Sequence, residues 1–310
     1  MKKRKISALL ICLILALNAC TGSGPSSATV SSTGATSAET ETAAQIPEQN
    51  KKPELVIMGE EAQDYSRAVQ AKKTEQTNVR SGALYAAKDG PKALAKDFTV
   101  MVYIVGSNLE SRYGAATNDM KEMIGADLDF TRNNLLVYTG GSKRWTSAIS
   151  NTCNSVINME NGEQLEVTAQ TSETADMGAA GTLAEFINYC TAHYPAKHYG
   201  LVLWDHGAGP LWGYGSDELF GNDSLLLEEL KGAMDQTQFN GDSKLDFVGF
   251  DACLMGSVES ARLWKDYAQY MVGSEELESG RGWDYSFLNT LNGTDDARTI
   301  VSAIVEAYGK

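Results

Sequence analysis

The sequence predicts an α/β/α sandwich built on a mainly parallel central sheet. Two observations carry this. Short, continuous apolar runs rich in β-branched and aromatic residues recur along the chain, as expected of strands buried on both faces. Segments of helical spacing separate them, and strands alternating with helices form a largely parallel sheet covered on both sides.

The pattern begins at Asp97. "FTVMVYIV" (98–105) predicts the first buried strand, and helix-like sequence follows over 109–124. "NLLVYTG" (134–140) predicts a second buried strand. Residues 154–169 alternate in polarity around Asn161-Gly162, which predicts a hairpin. Residues 179–194 predict a helix, with Leu183, Phe186, Ile187 and Cys190 on one face. Strand 199–204, helix 224–237, strand 245–250, helix 255–267, strand 269–273 and helix 295–308 complete the series. The sequence stops as a helical pattern ends, so the domain is open to continuation beyond residue 310.

What precedes this domain has a different texture. Lys2, Lys3, Arg4 and Lys5 form a basic segment, and Ile6–Leu17 is an apolar stretch too short for an ordinary membrane span. It ends in Leu17-Asn18-Ala19-Cys20 and resembles a bacterial lipoprotein signal, in which Cys20 would carry the lipid. A plain secretory signal is the alternative. Residues 21–50 are rich in Ser, Thr, Ala and Gly and lack aromatics, so they cannot bury enough apolar surface to fold. The expected organisation is a signal over 1–20, a flexible tether over 21–95 and a folded domain over 96–310. The expected location is the cell membrane, lipid-anchored and facing away from the cytoplasm.

The 310 residues are 43% hydrophobic and 21% charged, with a formal net charge of −14. The acidity argues against nucleic acid as a partner, since phosphate binding needs a basic face. Nothing in the pattern calls for an oligomer, and a monomer is expected. Of five cysteines, Cys153, Cys190 and Cys253 lie in the domain. An odd number in an exported protein leaves at least one free thiol.

Ligands of an open parallel sheet bind beyond the carboxyl ends of its strands. "LVLWDHGAG" (201–209) runs from a strand into His206, and "LDFVGFDACLMG" (245–256) runs from another toward Cys253. Both residues therefore share one sheet edge, whereas His193 and His198 precede the 199–204 strand. A thiol needs a base to become a nucleophile near neutral pH, and histidine titrates in that range. The Gly207 and Cys253 amides are two candidate donors for an oxyanion hole, the latter at the start of the 255–267 helix. Taken singly, His206 reads as a satisfied strand-end residue and Cys253 as a small core residue. Their pairing, 47 positions apart and each after its own apolar block, favours chemistry.

An apolar block ending in His-Gly, then one ending in Ala-Cys, resembles the caspase-like clan of cysteine peptidases. Asp251-Ala252-Cys253 departs from the caspase signature itself. "TVMVYIVGSNLE", "YGLVLWDHGAG", "GFDACLMGSVESA" and "YMVGSEE…GWDY", in that order over 98–310, resemble the clostripain family. The resemblance implies a caspase-like fold and an endopeptidase with a Cys253–His206 dyad, cleaving peptides after Arg or Lys. It also implies that Asp251 recognises that basic side chain, and a carboxylate suits either cation. A helix N-cap is the alternative for Asp251. Glu275 and Glu276 would either line the same pocket or form an exposed acidic loop.

Family members are often activated by self-cleavage after a basic residue between His and Cys. Residues 207–230 contain no Lys or Arg, so that route is doubtful here. Calcium is associated with the enzyme that names the family and stays open as a cofactor. Asp217, Glu218 and Asp223 lack the ordered spacing of a calcium loop, and no metal site is expected. Two other functions remain open: a silent or latent surface binding lipoprotein on the same scaffold, and a transpeptidase.

Overall fold

The computed structural model describes residues 83–86 and 94–309. The segment read as a lipoprotein signal, with Cys20, and nearly all of the stretch read as a tether lie outside the described residues. Within that stretch, Tyr85–Ala86 forms a short strand, β1. Strand β2 (Lys96–Val105) runs into helices α1 (Ser107–Tyr113) and α2 (Ala115–Gly125). Then come β3 (Asn133–Gly140), β4 (Ser155–Asn158), β5 (Glu166–Gln170), α3 (Ala180–His193) and β6 (Ala196–Trp204). A four-residue helix α4 (Gly209–Trp212) precedes the small antiparallel pair β7 (Tyr214–Asp217) and β8 (Asp223–Leu225). Helix α5 (Leu227–Asp235), β9 (Leu245–Asp251), α6 (Val258–Trp264), β10 (Ala268–Val272), a 3-10 helix (Tyr285–Asn292) and α7 (Ala297–Tyr308) follow.

The main sheet has the order β1-β5-β4-β3-β2-β6-β9-β10. Strands β3, β2, β6, β9 and β10 are parallel, and β4, β5 and β1 add to one edge antiparallel. The expected α/β class with a mainly parallel sheet is therefore present. Alternation along each strand divides the core into two layers. Met101, Tyr103, Leu201, Leu203, Val248 and Phe250 face α3, α5 and α6, where Phe186, Met234 and Trp264 pack on them. Val100, Val102, Ile104, Val202, Trp204 and Phe247 face the other layer, built from α2, the 3-10 helix and α7.

Three helices differ from the sequence reading: the one expected over 224–237 starts only at Leu227, because Asp223–Leu225 forms β8. The helix expected over 109–124 is broken at Gly114, whose φ of 66° ends α1 and starts α2. The helix expected from 255 starts only at Val258, with the Ser257 side chain accepting from the Ser260 amide as its cap. The N-cap role is thus filled by Ser257 and not by Asp251, and Cys253 lies in the turn before the helix.

Register fixes what sits at the carboxyl edge. Ile104 pairs with Trp204, and Trp204 pairs with Asp251. The Asp205 amide donates to the Asp251 carbonyl at 3.2 Å, carrying the β6–β9 ladder one residue past the strand end. Residues 106–108, 205–207, 251–254 and 274–278 therefore converge on one edge.

Candidate active site

The two parallel strands β6 and β9 are direct neighbours, so His206 and Cys253 emerge side by side, each two residues beyond the register pair Trp204–Asp251. Gly207 lies directly against the Cys253 backbone: a Cβ there would collide with the Cys253 carbonyl oxygen. Any side chain would wedge the two loops apart, which makes this glycine a requirement of close approach. Among the described residues no hydrogen bond engages the Gly207 amide. His198, by contrast, sits near the start of β6 with Nδ1 2.9 Å from Asp246 Oδ1, and His193 stacks on Tyr189. Neither belongs to the edge that holds Cys253.

His206 is held by parts from other elements. Its Nε2 lies 2.6 Å from Asn108 Oδ1, at the start of α1. The preceding residue, Asp205, accepts from Ser107 Oγ at 2.5 Å and from the Ser216 amide at 2.6 Å. Burial pushes the Asp205 carboxyl well above the usual range, and its hydrogen bonds oppose that. Burial also pushes the imidazole of His206 down to about 4, so it is neutral at pH 7.

Cys253 is partly buried and free of any disulfide. Burial raises its thiol, and the Glu278 amide, 3.2 Å from the sulfur, opposes the shift. At rest, Cys253 is therefore a neutral thiol and His206 a neutral imidazole. Leu254 follows with φ of 63°, and Ser107 has φ of 48°. Left-handed backbone at non-glycine residues costs about 1–3 kcal/mol and clusters at functional sites.

Asp251 is 4% exposed. Its Oδ1 accepts from the Trp283 amide at 3.1 Å and its Oδ2 from the Tyr285 hydroxyl at 3.0 Å. Two further carboxyls crowd it. Asp119, on α2, accepts from Trp204 Nε1 at 2.6 Å, and Gly282 fits between it and Asp251. Burial and mutual repulsion push Asp119 and Glu278 up to about 8, and burial pushes Asp251 up to about 7. Glu275 and Glu276 are exposed, so the acid that approaches Cys253 on this loop is Glu278. No group of three or more His, Cys, Asp or Glu among the described residues is arranged to hold a metal ion.

Sequence reasoning missed Asn108, Asp119 and Glu278. Asn108 was within reach, because "VGSN" leaves β2 at the same edge as the other two loops. Asp119 sits inside a helical pattern and had no signal of its own.

A free cysteine and a histidine thus follow adjacent parallel strands at one sheet edge, with a glycine amide against the cysteine backbone. The sequence profile of the clostripain family, peptidase family C11, matches residues 102–310, and the chain belongs to that family. It is similar to clostripain of Hathewaya histolytica, with 27% identity over 220 residues, 60% of this chain and 40% of that protein. It is also similar to a secreted C11 cysteine protease from Bacteroides thetaiotaomicron, solved with an irreversible peptide inhibitor. That likeness has a TM-score of 0.56 and 25% identity, over 69% of this chain and 58% of that one. An inactive zymogen C11 protease from Parabacteroides distasonis shares the fold, with a TM-score of 0.51 and 23% identity over 70% of this chain and 59% of that one. The chain thus spans less than two thirds of the length of these relatives.

Proposed function

We propose that this chain is a cysteine endopeptidase that hydrolyses peptide bonds after Arg or Lys, with Cys253 as nucleophile and His206 as base and then acid. The observation that carries the reading is the β6–β9 register, which sets His206 and Cys253 beside each other. His206 takes the proton of the Cys253 thiol, and the thiolate attacks the scissile carbonyl carbon. The Gly207 and Cys253 amides stabilise the resulting oxyanion. The imidazolium returns its proton to the leaving amine as the C–N bond breaks, leaving a thioester. A water, deprotonated by His206, hydrolyses the thioester and restores the thiol.

The preference for a basic residue rests on the carboxyl cluster. A cation placed there offsets the repulsion among Asp251, Asp119 and Glu278 and favours their ionised forms. The positive charge of the same cation, near Cys253, favours its thiolate directly and offsets the raising effect of the Glu278 and Asp251 carboxyls.

One observation favours a second reading, a latent form. Both Asp251 oxygens are occupied by Trp283 and Tyr285, and the Glu278 amide rests on the nucleophile. In that form the 274–285 segment shifts before a basic side chain enters.

We also place the protein at the cell surface, held by a lipid on Cys20. Cys20→Ser would then release it from the membrane fraction.

The experiment is covalent labelling by a peptidyl electrophile ending in Arg, with mass mapping of the adduct. Modification of Cys253 in wild type, but not in His206→Ala, supports the active dyad. Labelling by a small thiol reagent but not by the peptide supports latency. An adduct at Cys153 or Cys190 in place of Cys253 contradicts both.

A further inference from the structure

The mechanism needs one particular nitrogen of His206 to be unprotonated, and nothing in a Cys-His pair alone decides which. The structure surrounds that choice with fixed parts. Asn108 Oδ1 lies 2.6 Å from His206 Nε2. A carboxamide oxygen only accepts, so this contact requires the proton on Nε2 and leaves the lone pair on Nδ1.

The chain on either side of Asn108 is anchored by hydrogen bonds of Ser107 and Glu110. The residue before it, Ser107, is fully buried, and its hydroxyl donates to Asp205 at 2.5 Å. That places Ser107 and Asp205, the chain neighbours of Asn108 and His206, in direct contact. Ser142 Oγ donates to the Ser107 carbonyl at 3.1 Å. Two residues on, the buried Glu110 accepts from the Thr117 amide at 2.9 Å, from the Thr117 hydroxyl at 2.7 Å and from the Thr146 amide at 2.6 Å. These bonds hold the start of α1 from the β3–β4 connection, from α2 and from the β6 end. The left-handed Ser107 backbone is kept by this network.

We propose that Asn108 is a positioning residue: it locks His206 in the Nε2–H tautomer, so that Nδ1 is the nitrogen that accepts the Cys253 proton. The role presupposes His206 as the base, and it deepens that reading by naming the group that orients it. An amide partner suits a base that must be neutral at rest. A carboxylate would stabilise the imidazolium, whereas Asn108 orients the ring without adding charge.

The test separates this claim from peptidase activity. The chain has only three histidines, so long-range proton–nitrogen spectra of ¹⁵N-histidine-labelled full-length protein resolve each ring, with His206→Gln assigning the signal. Wild type is expected to show His206 protonated at Nε2. Asn108→Ala is expected to give mixed tautomers and to lower kcat by about 10²-fold, with KM changed much less. Asn108→Asp is expected to keep the Nε2–H form and to move the acid limb of kcat/KM to higher pH. A merely structural Asn108 would move neither the tautomer nor the pH limb. An Nδ1–H ring in wild type overturns the proposal. So does an unchanged tautomer in Asn108→Ala. If Asn108→Ala fails to fold, the wild-type and Asn108→Asp spectra decide. If no peptide is cleaved at all, the spectra still decide the role of Asn108 while the peptidase reading fails separately.

Discussion

Asp205 and Asp251 stand at the ends of adjacent strands, joined by a backbone hydrogen bond of 3.2 Å, yet they serve opposite ends. Asp205 is met by neutral donors from other elements, the Ser107 hydroxyl and the Ser216 amide. It holds loops in place. Asp251 is also hydrogen-bonded, but Asp119 and Glu278 crowd it with like charge. Its two hydrogen bonds tie Trp283 and Tyr285 to the end of β9. The difference teaches that burial alone does not assign a carboxyl its role. Asp205, although repelled by Asp217, ties three segments together through its hydrogen bonds, whereas Asp251 lies among Asp119, Glu122 and Glu278, the crowding on which the proposed preference for a basic residue rests.

The largest expected effect breaks the chemistry that both carboxyls flank. Cys253→Ala or His206→Ala should each lower kcat by about 10³-fold or more while leaving the melting temperature nearly unchanged, read by peptide turnover and calorimetry. Next comes the brace. Asp205→Ala leaves the buried Ser216 amide without this partner, and it should cost about 2–3 kcal/mol in denaturant unfolding and disable turnover with it. The equivalent cut on the other side, Asp251→Asn, should preserve or raise stability at pH 8 while lowering kcat/KM for Arg and Lys peptides by about 10–10²-fold relative to neutral ones. If both substitutions destabilise alike, the contrast between brace and site fails.

A smaller effect lies in pH. Asp119 and Glu278 are raised to about 8 and Asp251 to about 7, so the folded state holds protons that the unfolded chain releases near pH 4. These three groups contribute full stability below about pH 4 and lose it as pH rises toward 8. His206 acts in the opposite direction, since its lowered value makes stability fall as pH drops from about 6.5 to 4. Glu278→Gln should therefore flatten the decline in melting temperature between pH 5 and pH 8. The smallest effect is expected from Glu275→Gln with Glu276→Gln: both are exposed, and turnover should change less than about twofold.

Much of this architecture was legible because each central strand is a run of residues buried on both faces, which leaves an unbroken apolar signal. His206 and Cys253 were legible because each follows such a run. What was lost is tertiary. The α1–α2 break depends on one glycine in a segment that otherwise has helical spacing. The late start of α6 follows from the left-handed Leu254 and the Ser257 cap. Asn108 is 98 residues from His206, and Asp119 is 85 residues from the Trp204 it binds. Single polar residues at such separations have no period for a sequence to display.

The central claim is tested most directly by kcat/KM on short fluorogenic peptides ending in Arg, Lys, Asp or Leu, for wild type and Cys253→Ala. The expected result is cleavage after Arg and Lys alone, abolished in the variant. Turnover that survives Cys253→Ala, or a preference for Asp or Leu, would contradict it.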